Sequence, residues 1–258
     1  HIFPFNGKLI LSVDNGGGLG TELYEYNTGS NTTTLINDIR AGSVGSFPQN
    51  FIEVNSKLYF TADNGTGRKL YVYNGTTVAA ISNTDDAEGI EVLTVGPSTY
   101  LIISANISGT KRLVRVNTTN DSPTLLSSSI SNPEGMTIYN GYVYFSADGT
   151  SGNELYRTQG TSGSTGIVSD INPSGDSSPR NFLEYKNELY FRADNGTNGQ
   201  ELWKVGTNNS TAMIEDFIAG SNSFAPIPLA VYNGALYLNG IKPPISGQRE
   251  LYKYTKPT

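Results

Sequence analysis

One short pattern recurs six times along this chain, and that regularity restricts the fold more than any single residue does. The pattern is a short strand, a tight turn, an aromatic strand, a Gly-rich turn, then a leucine followed by an aromatic residue. Its clearest copy spans Asn181 to Thr207. There the composition predicts strands over 182–185, 188–193 and 201–205, with a turn over 194–199 built from residues that tolerate positive φ. The apolar run Ala212-Met213-Ile214 supplies a fourth strand. The leucine-aromatic element appears as Glu22-Leu23-Tyr24, Lys69-Leu70-Tyr71, Arg112-Leu113-Val114, Glu154-Leu155-Tyr156, Glu201-Leu202-Trp203 and Glu250-Leu251-Tyr252. These elements begin at 22, 69, 112, 154, 201 and 250, so the spacings are 47, 43, 42, 47 and 49 residues.

Four short strands in each repeat of about 40–50 residues define a β-propeller blade. The expectation is therefore an all-β, six-bladed β-propeller of four-stranded antiparallel blades. It forms one domain over 1–258, with blades near 1–47, 48–90, 91–134, 135–179, 180–226 and 227–258. Fourth strands fall at 33–36, 78–81, 124–126, 166–168 and 212–214. Three of them run into related linkers, Asp38 to Pro48, Asp170 to Pro179 and Asp216 to Pro226, in which Pro starts the next strand without needing a donor. The sixth repeat ends at Tyr254 with no fourth strand, which predicts a three-stranded last blade. His1 to Phe5 matches Asn50 to Val54 and reads as a first, innermost strand, so the ring is expected to close by packing the sixth blade on the first.

Bulk properties narrow the function. A chain of 258 residues buries enough surface to fold without staples. The hydrophobic share is 36%, with 29 Gly and 16 Tyr, which suits short strands and many turns rather than long helices. The formal charge is −6 and the densest basic stretch is the local pair in Gly67-Arg68-Lys69, so neither nucleic acid nor an anionic membrane is expected as a partner. The absence of cysteine excludes disulfides, thiolate metal sites and cysteine nucleophiles. No apolar run approaches the roughly 18 residues of a membrane helix, so no membrane insertion is expected. The opening His1-Ile2-Phe3 reads as a mature or trimmed end.

The units resemble the tandem ELWxxDGT repeats of bacterial secreted and cell-surface proteins. The match rests on Ala193-Asp194, Gly199, Glu201-Leu202-Trp203 and Gly206-Thr207, then Asp216, Gly220 and Pro226. It recurs at Ala147-Asp148, Glu154-Leu155-Tyr156, Gly160-Thr161, Asp170-Ile171 and Pro179, and weaker forms cover the rest of the chain. The family's Asp before Gly-Thr is replaced by Val205 and Gln159. The resemblance implies a propeller-like surface module and no defined activity.

Two sets of repeated residues are candidate sites. In a propeller the turn between second and third strands and the linker between blades emerge on one face. That places Asp14, Asp63, Asp148 and Asp194 with Asp38, Asp170 and Asp216, and close to Glu22, Glu154 and Glu201. Calcium is the cation such oxygens would take, and Asp14, Asp148, Asp194, Glu22, Glu154 and Glu201 are the candidate ligands, although the spacing matches neither the EF-hand nor the nonapeptide repeat. The architectural alternative is that each Asp caps its own turn. Lys69 and Arg112 replace the Glu in copies two and three, so a cation in every blade is not expected. The second set is Tyr24, Tyr71, Tyr156, Trp203 and Tyr252, which either stack on sugars or fill the wedge between blades; Val114 in copy three suits packing. Arg192 and Trp203 are individual to the fifth copy, so Arg192, Trp203, Tyr156 and Tyr24 are the candidate ligand-binding residues.

Catalysis has little support. His1 is the only histidine and is terminal, which leaves no Ser-His-Asp triad or histidine metal cluster. Catalytic residues should break the repeat, and the breaks are Arg40, Arg180, Arg192 and the Pro243-Pro244 loop. Nine Asn-x-Ser/Thr sequons occur, at Asn31, Asn64, Asn74, Asn106, Asn117, Asn120, Asn195, Asn208 and Asn209, in a composition that turns already demand. The leading expectation is an extracellular or cell-surface, non-catalytic binding or structural module, adhesive or part of a surface assembly. It would meet a protein or glycan, with self-association open and no cofactor required beyond optional calcium. The alternatives are a lectin with pockets between blades and an enzyme using the central channel.

Overall fold

The computed structural model describes residues 1–242 and 247–256; the Pro243-Pro244 loop lies outside the described residues. Among the described residues twenty-three strands form six antiparallel sheets in series, each an up-and-down meander. Sheet one is β1 (Ile2–Phe5), β2 (Lys8–Val13), β3 (Glu22–Asn27) and β4 (Thr32–Asn37). Sheet two is β5 (Gln49–Val54), β6 (Lys57–Asp63), β7 (Arg68–Tyr73) and β8 (Val78–Ala80). Sheet three is β9 (Asp85–Val95), β10 (Ser98–Ile107), β11 (Thr110–Asn117) and β12 (Ser122–Leu125). Sheet four is β13 (Ser131–Tyr139), β14 (Tyr142–Gly149), β15 (Gly152–Thr158) and β16 (Gly166–Ser169). Sheet five is β17 (Arg180–Tyr185), β18 (Glu188–Asp194), β19 (Gln200–Val205) and β20 (Thr211–Glu215). Sheet six has three strands among the described residues: β21 (Ile227–Tyr232), β22 (Ala235–Ile241) and β23 (Arg249–Tyr254). These are the blades of a β-propeller, and they agree with the repeat pattern, including the shortened last blade.

In sheets two to six the second strand is the most buried, and in sheet two neighbouring sheets cover both of its faces. In β6, Leu58, Tyr59, Phe60, Thr61 and Ala62 are all fully buried. The period-2 alternation then sorts them by neighbour. Leu58, Phe60 and Ala62 pack with Phe5, Ile10 and Leu23 of sheet one, whereas Tyr59 packs with Leu101, Ile103 and Val114 of sheet three. This is why second strands read as near-continuous apolar runs, while the outer β4 is largely exposed Thr. Cutting a fully buried ring such as Phe60 back to Ala costs about 3–5 kcal/mol.

The chain divides into two compact units, His1–Leu125 and Leu126–Thr258, each holding three sheets, where the repeat pattern alone suggests one domain. In the second unit, Tyr139, Tyr144 and Leu155 of sheet four pack with Leu189, Phe191 and Val205 of sheet five. Tyr185, Tyr190 and Leu202 in turn pack with Phe224, Leu236 and Leu238 of the sixth repeat. The worn third copy has the longest hairpin. Its β10–β11 turn is a two-residue one, Ser108 and Gly109 at φ 53° and 86°, in place of the wide Gly-rich loop of its relatives.

A feature the repeat pattern does not announce sits at the start of each inner strand. Phe47, Asp86, Asn132, Ser178 and Ala225 occupy equivalent positions and all are left-handed, at φ 48°, 51°, 50°, 47° and 49°. A register shift follows in β5, β9, β13 and β17, with Asn50, Gly89, Gly135 and Asn181 also left-handed. The bulge turns the incoming linker onto the sheet.

Candidate functional site

The residues singled out as metal ligands divide into buried latches and turn caps. Glu22, Glu154 and Glu201 are fully buried. Each carboxylate accepts bonds from the linker that leads to the next sheet. Ile39 N (3.0 Å), Arg40 N (3.3 Å) and Ser46 Oγ (2.5 Å) donate to Glu22. Ile171 N (2.9 Å), Asn172 N (3.4 Å), Ser177 N (3.2 Å) and Ser177 Oγ (2.6 Å) donate to Glu154. Phe217 N (3.3 Å) and Phe224 N (3.0 Å) donate to Glu201. These oxygens face backbone donors rather than an open cation site.

The latch has a backbone half. The carbonyl before each Glu, on Thr21, Asn153 or Gln200, accepts from the linker amides of Phe47, Ser178 and Ala225. Linker carbonyls of Ser46, Ser177 and Phe224 then accept from Asp63, Asp194 and Ile241 on the next second strand. The approach needs glycine at Gly20, Gly152 and Gly199, which have positive φ and where a Cβ would collide with linker atoms. In copy two, where Lys69 replaces Glu, Thr84 Oγ1 accepts from Leu70 N at 3.1 Å and Lys69 pairs with Asp85 at 2.5 Å.

The linker residue that faces each buried Glu differs. Ser46 and Ser177 give a hydroxyl to their Glu, whereas Phe224 stands in that place for Glu201. Burial pushes the Glu201 carboxyl up to about 7; its two backbone donors oppose this, and Asp216 and Asp194 add to it. Burial also raises Glu154, against its four donors.

The Asp residues cap turns. Asp14, Asp63 and Asp194 accept from Gly16 N (2.9 Å), Gly65 N (2.7 Å) and Gly196 N (2.7 Å). Asp216 accepts from Asn198 Nδ2 and Gly220 N, while Asp38 and Asp170 are exposed. Among the described residues no three His, Asp or Glu side chains converge as a metal cage. All nine sequon asparagines use their side-chain oxygen, and seven accept from an amide two or three residues on. Asn31 and Asn209 accept from Tyr26 and Tyr144 hydroxyls. The sequons thus coincide with Asx turns.

The repeated aromatics are packing residues. Tyr24 and Tyr156 are 1% and 5% exposed, which corrects their reading as ligand platforms: a sugar cannot reach a ring already enclosed by neighbouring side chains. Tyr71 and Tyr156 stack on Phe60 and Phe145 of the second strand at 5.7 and 6.1 Å. Trp203 pairs in register with Phe191 and is partly buried against the cluster of Tyr139 and Leu155, its indole N–H without a partner.

Asp148 lines a sizeable cavity. A polar cleft of about 490 Å³ lies in the second unit, bounded by Asn132, Glu134, Asp148, Asn153, Asp176 and Arg180 among others. Asn132 and Asn153 amides orient the two Asp148 oxygens at 2.7 and 2.6 Å. Asp176 accepts from Asn153 N at 2.8 Å. Among the repeat breaks, Arg40 pairs with Asp63 at 3.1 Å, which accounts for it within the first unit. Arg180 and Arg192 are direct register partners on β17 and β18, and Arg192 is half-buried with no bonded partner for its Nε. Asn132, Glu134 and Asp176 escaped the sequence reading because the bulged register of β13 places the first two and the linker bond to Asn153 N places the third.

No protein-family model matches this chain, and no curated protein does. Solved structures do. A prolyl endopeptidase chain is similar over 99% of this chain and 41% of its own length, at 12% identity and a TM-score of 0.57. This chain therefore spans under half of that relative. TolB from Acinetobacter baumannii is similar over 90% of this chain and 59% of its own, at 9% identity and TM-score 0.47. A chain of a nidogen/laminin complex is similar over 91% and 85%, at 13% identity and TM-score 0.43. The first of these supports the fold, a β-propeller. Among the described residues no helix is long and apolar enough to cross a membrane.

Proposed function

We propose that this chain is a non-catalytic binding module for a polypeptide partner, and that the cleft beside Asp148 and Arg180 is its recognition surface. The observation that carries this is the individuality of the cleft. Asp176 stands where its relatives have Gly45 and Ser223, and Asn153 where they have Thr21 and Gln200; Glu134 takes the place of Gln49, Arg180 and Ile227 and, like Glu88 of sheet three, brings a carboxylate, but only beside Asp148 and Asp176 does that carboxylate line the cleft. Elsewhere the repeated polar residues are consumed by latches and caps. Oriented carboxylates on one wall and a guanidinium on the other suit the mixed polar surface of a protein segment. Its placement outside the cell or at the cell surface is supported by the resemblance to the ELWxxDGT repeats.

The test is a photo-crosslinking amino acid at exposed Glu134, with exposed Thr33 on the outer strand of sheet one as control. Capture of one polypeptide at 134 and not at 33, reduced by Asp148→Asn, supports the reading. Equal capture at both positions overturns it. Turnover of a peptide, ester or glycoside that Asp148→Asn abolishes overturns its non-catalytic part.

A further inference from the structure

The second strand of each sheet carries one residue opposite the bulge of the first strand. That residue is Thr61, Ser104 and Ser146 in sheets two to four and Asn239 in sheet six. In sheet five it is Arg192, and its partner across the pair is Arg180. Like charges directly opposite in a sheet repel, so this pair is costly unless something else sits with it. A third guanidinium, Arg249 of β23, is close enough to act on Arg192 electrostatically.

The bonding of the three differs. Arg249 is fixed: its Nη2 donates to Ala225 O and Asn239 O, and its Nε to Asn239 Oδ1. Arg68 does the same in sheet two, donating to Phe47 O and to Thr61 O and Oγ1. Arg180 lines the cleft and gives only its Nε, to Ser178 O at 3.2 Å. Arg192 makes no hydrogen bond or ion pair among the described residues, although its Nε is shut off from solvent. None of the three arginines appears in the ion pairs of Lys8, Arg40, Lys57, Lys69, Lys111, Lys204, Lys242 or Lys256. A chain of net charge −6 thus leaves three arginines together with no carboxylate at pairing distance.

We propose that Arg180 and Arg192, backed by Arg249, form an oxyanion-binding site beside the cleft wall that Arg180 supplies. A partly desolvated guanidinium with free donors binds a carboxylate, sulfate or phosphate through paired, charge-assisted hydrogen bonds. The electrostatics agree: burial, then Arg180 and Arg249, destabilise the Arg192 cation in the absence of an anion. Only the polypeptide source of the oxyanion rests on the binding reading above; small ions probe the chemistry by itself.

The experiment is isothermal titration and thermal unfolding of the full chain with sodium sulfate, sodium phosphate or a hexaglutamate peptide, each against sodium chloride at matched ionic strength. Binding of at least one oxyanion, weakened about tenfold or more by Arg192→Ser and by Arg180→Gln and unchanged by Lys111→Ser, supports the site. Serine is the residue type at Ser104 and Ser146, so Arg192→Ser is expected to fold and to melt higher than the parent in chloride alone, since it removes like-charge repulsion. Binding of the peptide identifies a protein carboxylate as the source; binding of sulfate or phosphate alone retains the site and removes that source. No oxyanion effect beyond chloride, an equal loss in Lys111→Ser, or an undiminished response in Arg192→Ser overturns the proposal.

Discussion

Replacing Glu154 with Ala tests whether a single buried carboxylate holds a linker between sheets four and five. Four donors converge on it, but they are not equally dependent. Ser177 N and Oγ also donate to Asn153 O at 3.0 and 3.2 Å, so they keep a partner. The amides of Ile171 and Asn172 have no second acceptor among the described bonds. Each buried amide left unsatisfied costs about 1–3 kcal/mol, and truncating the side chain adds a packing loss, for a total near 4 kcal/mol. Ser177→Ala removes one donor from a carboxylate that retains three, and should cost only about 1 kcal/mol. Urea unfolding followed by fluorescence of Trp203, the only tryptophan, reads the right region because its ring packs on the cluster containing Leu155 and Ile171. A Glu154→Ala loss below about 1 kcal/mol, or one no larger than that of Ser177→Ala, would refute the latch.

Other outcomes follow from the same geometry. The Glu201 carboxyl is raised from the usual 4.5 to about 7, so the stability it contributes when protonated is complete below about pH 4.5 and is lost as pH rises through 7. The fall is at most about 3 kcal/mol, and the unfolding midpoint of Glu201→Gln should change less between pH 5 and 8 than that of the parent. Glu188 behaves oppositely: burial raises its carboxyl, but Lys204, Lys256 and the Tyr190 hydroxyl outweigh burial and hold it below 4.5. Its contribution is present above that value and lost on acidification, and Glu188→Gln should flatten the acid limb of the stability profile. Phe47 is left-handed and 48% exposed, while Asn132 fills the equivalent place. Phe47→Asn should therefore raise stability by about 0.5–1 kcal/mol in urea, and a loss would show that the exposed ring makes contacts that matter more than the strain. Gly240 lies under the Phe224 ring, and Gly240→Ala should cost about 1–3 kcal/mol through overpacking, read as a lower melting temperature.

The blades were legible because six copies average out the ambiguity of any one. The run Glu188 to Ala193 alone fits a strand or a short buried helix, but its equivalents share the same flanking turns. The three-strand count of the sixth repeat among the described residues was legible for the same reason. The bulges were not: Asn50 and Asn181 look like ordinary strand residues, and only their pairing with Gly89 and Gly135 exposes the left-handed position. Burial of Glu22, Glu154 and Glu201 was equally hidden, since an enclosed Glu and a solvated one are identical in sequence. Its signal is distant, in the Ser two places before Pro48 and Pro179. Arg192 stood out as a break in the repeat, but its lack of a partner depends on register and on the acceptors that occupy Arg249.

The latches also decide which amides should exchange together with solvent hydrogen. Ile39, Ile171 and Phe217 belong by chain to linkers, yet their N–H groups are held by carboxylates on the third strand of the preceding sheet. Deuterium uptake at these linkers is thus gated by opening of the sheet behind them rather than by their own local fraying. After sheet two the side-chain bond runs the other way, from Leu70 N on the third strand to the linker's Thr84 hydroxyl, so no carboxylate holds a linker amide there and exchange should mark a softer seam than after sheets one, four and five.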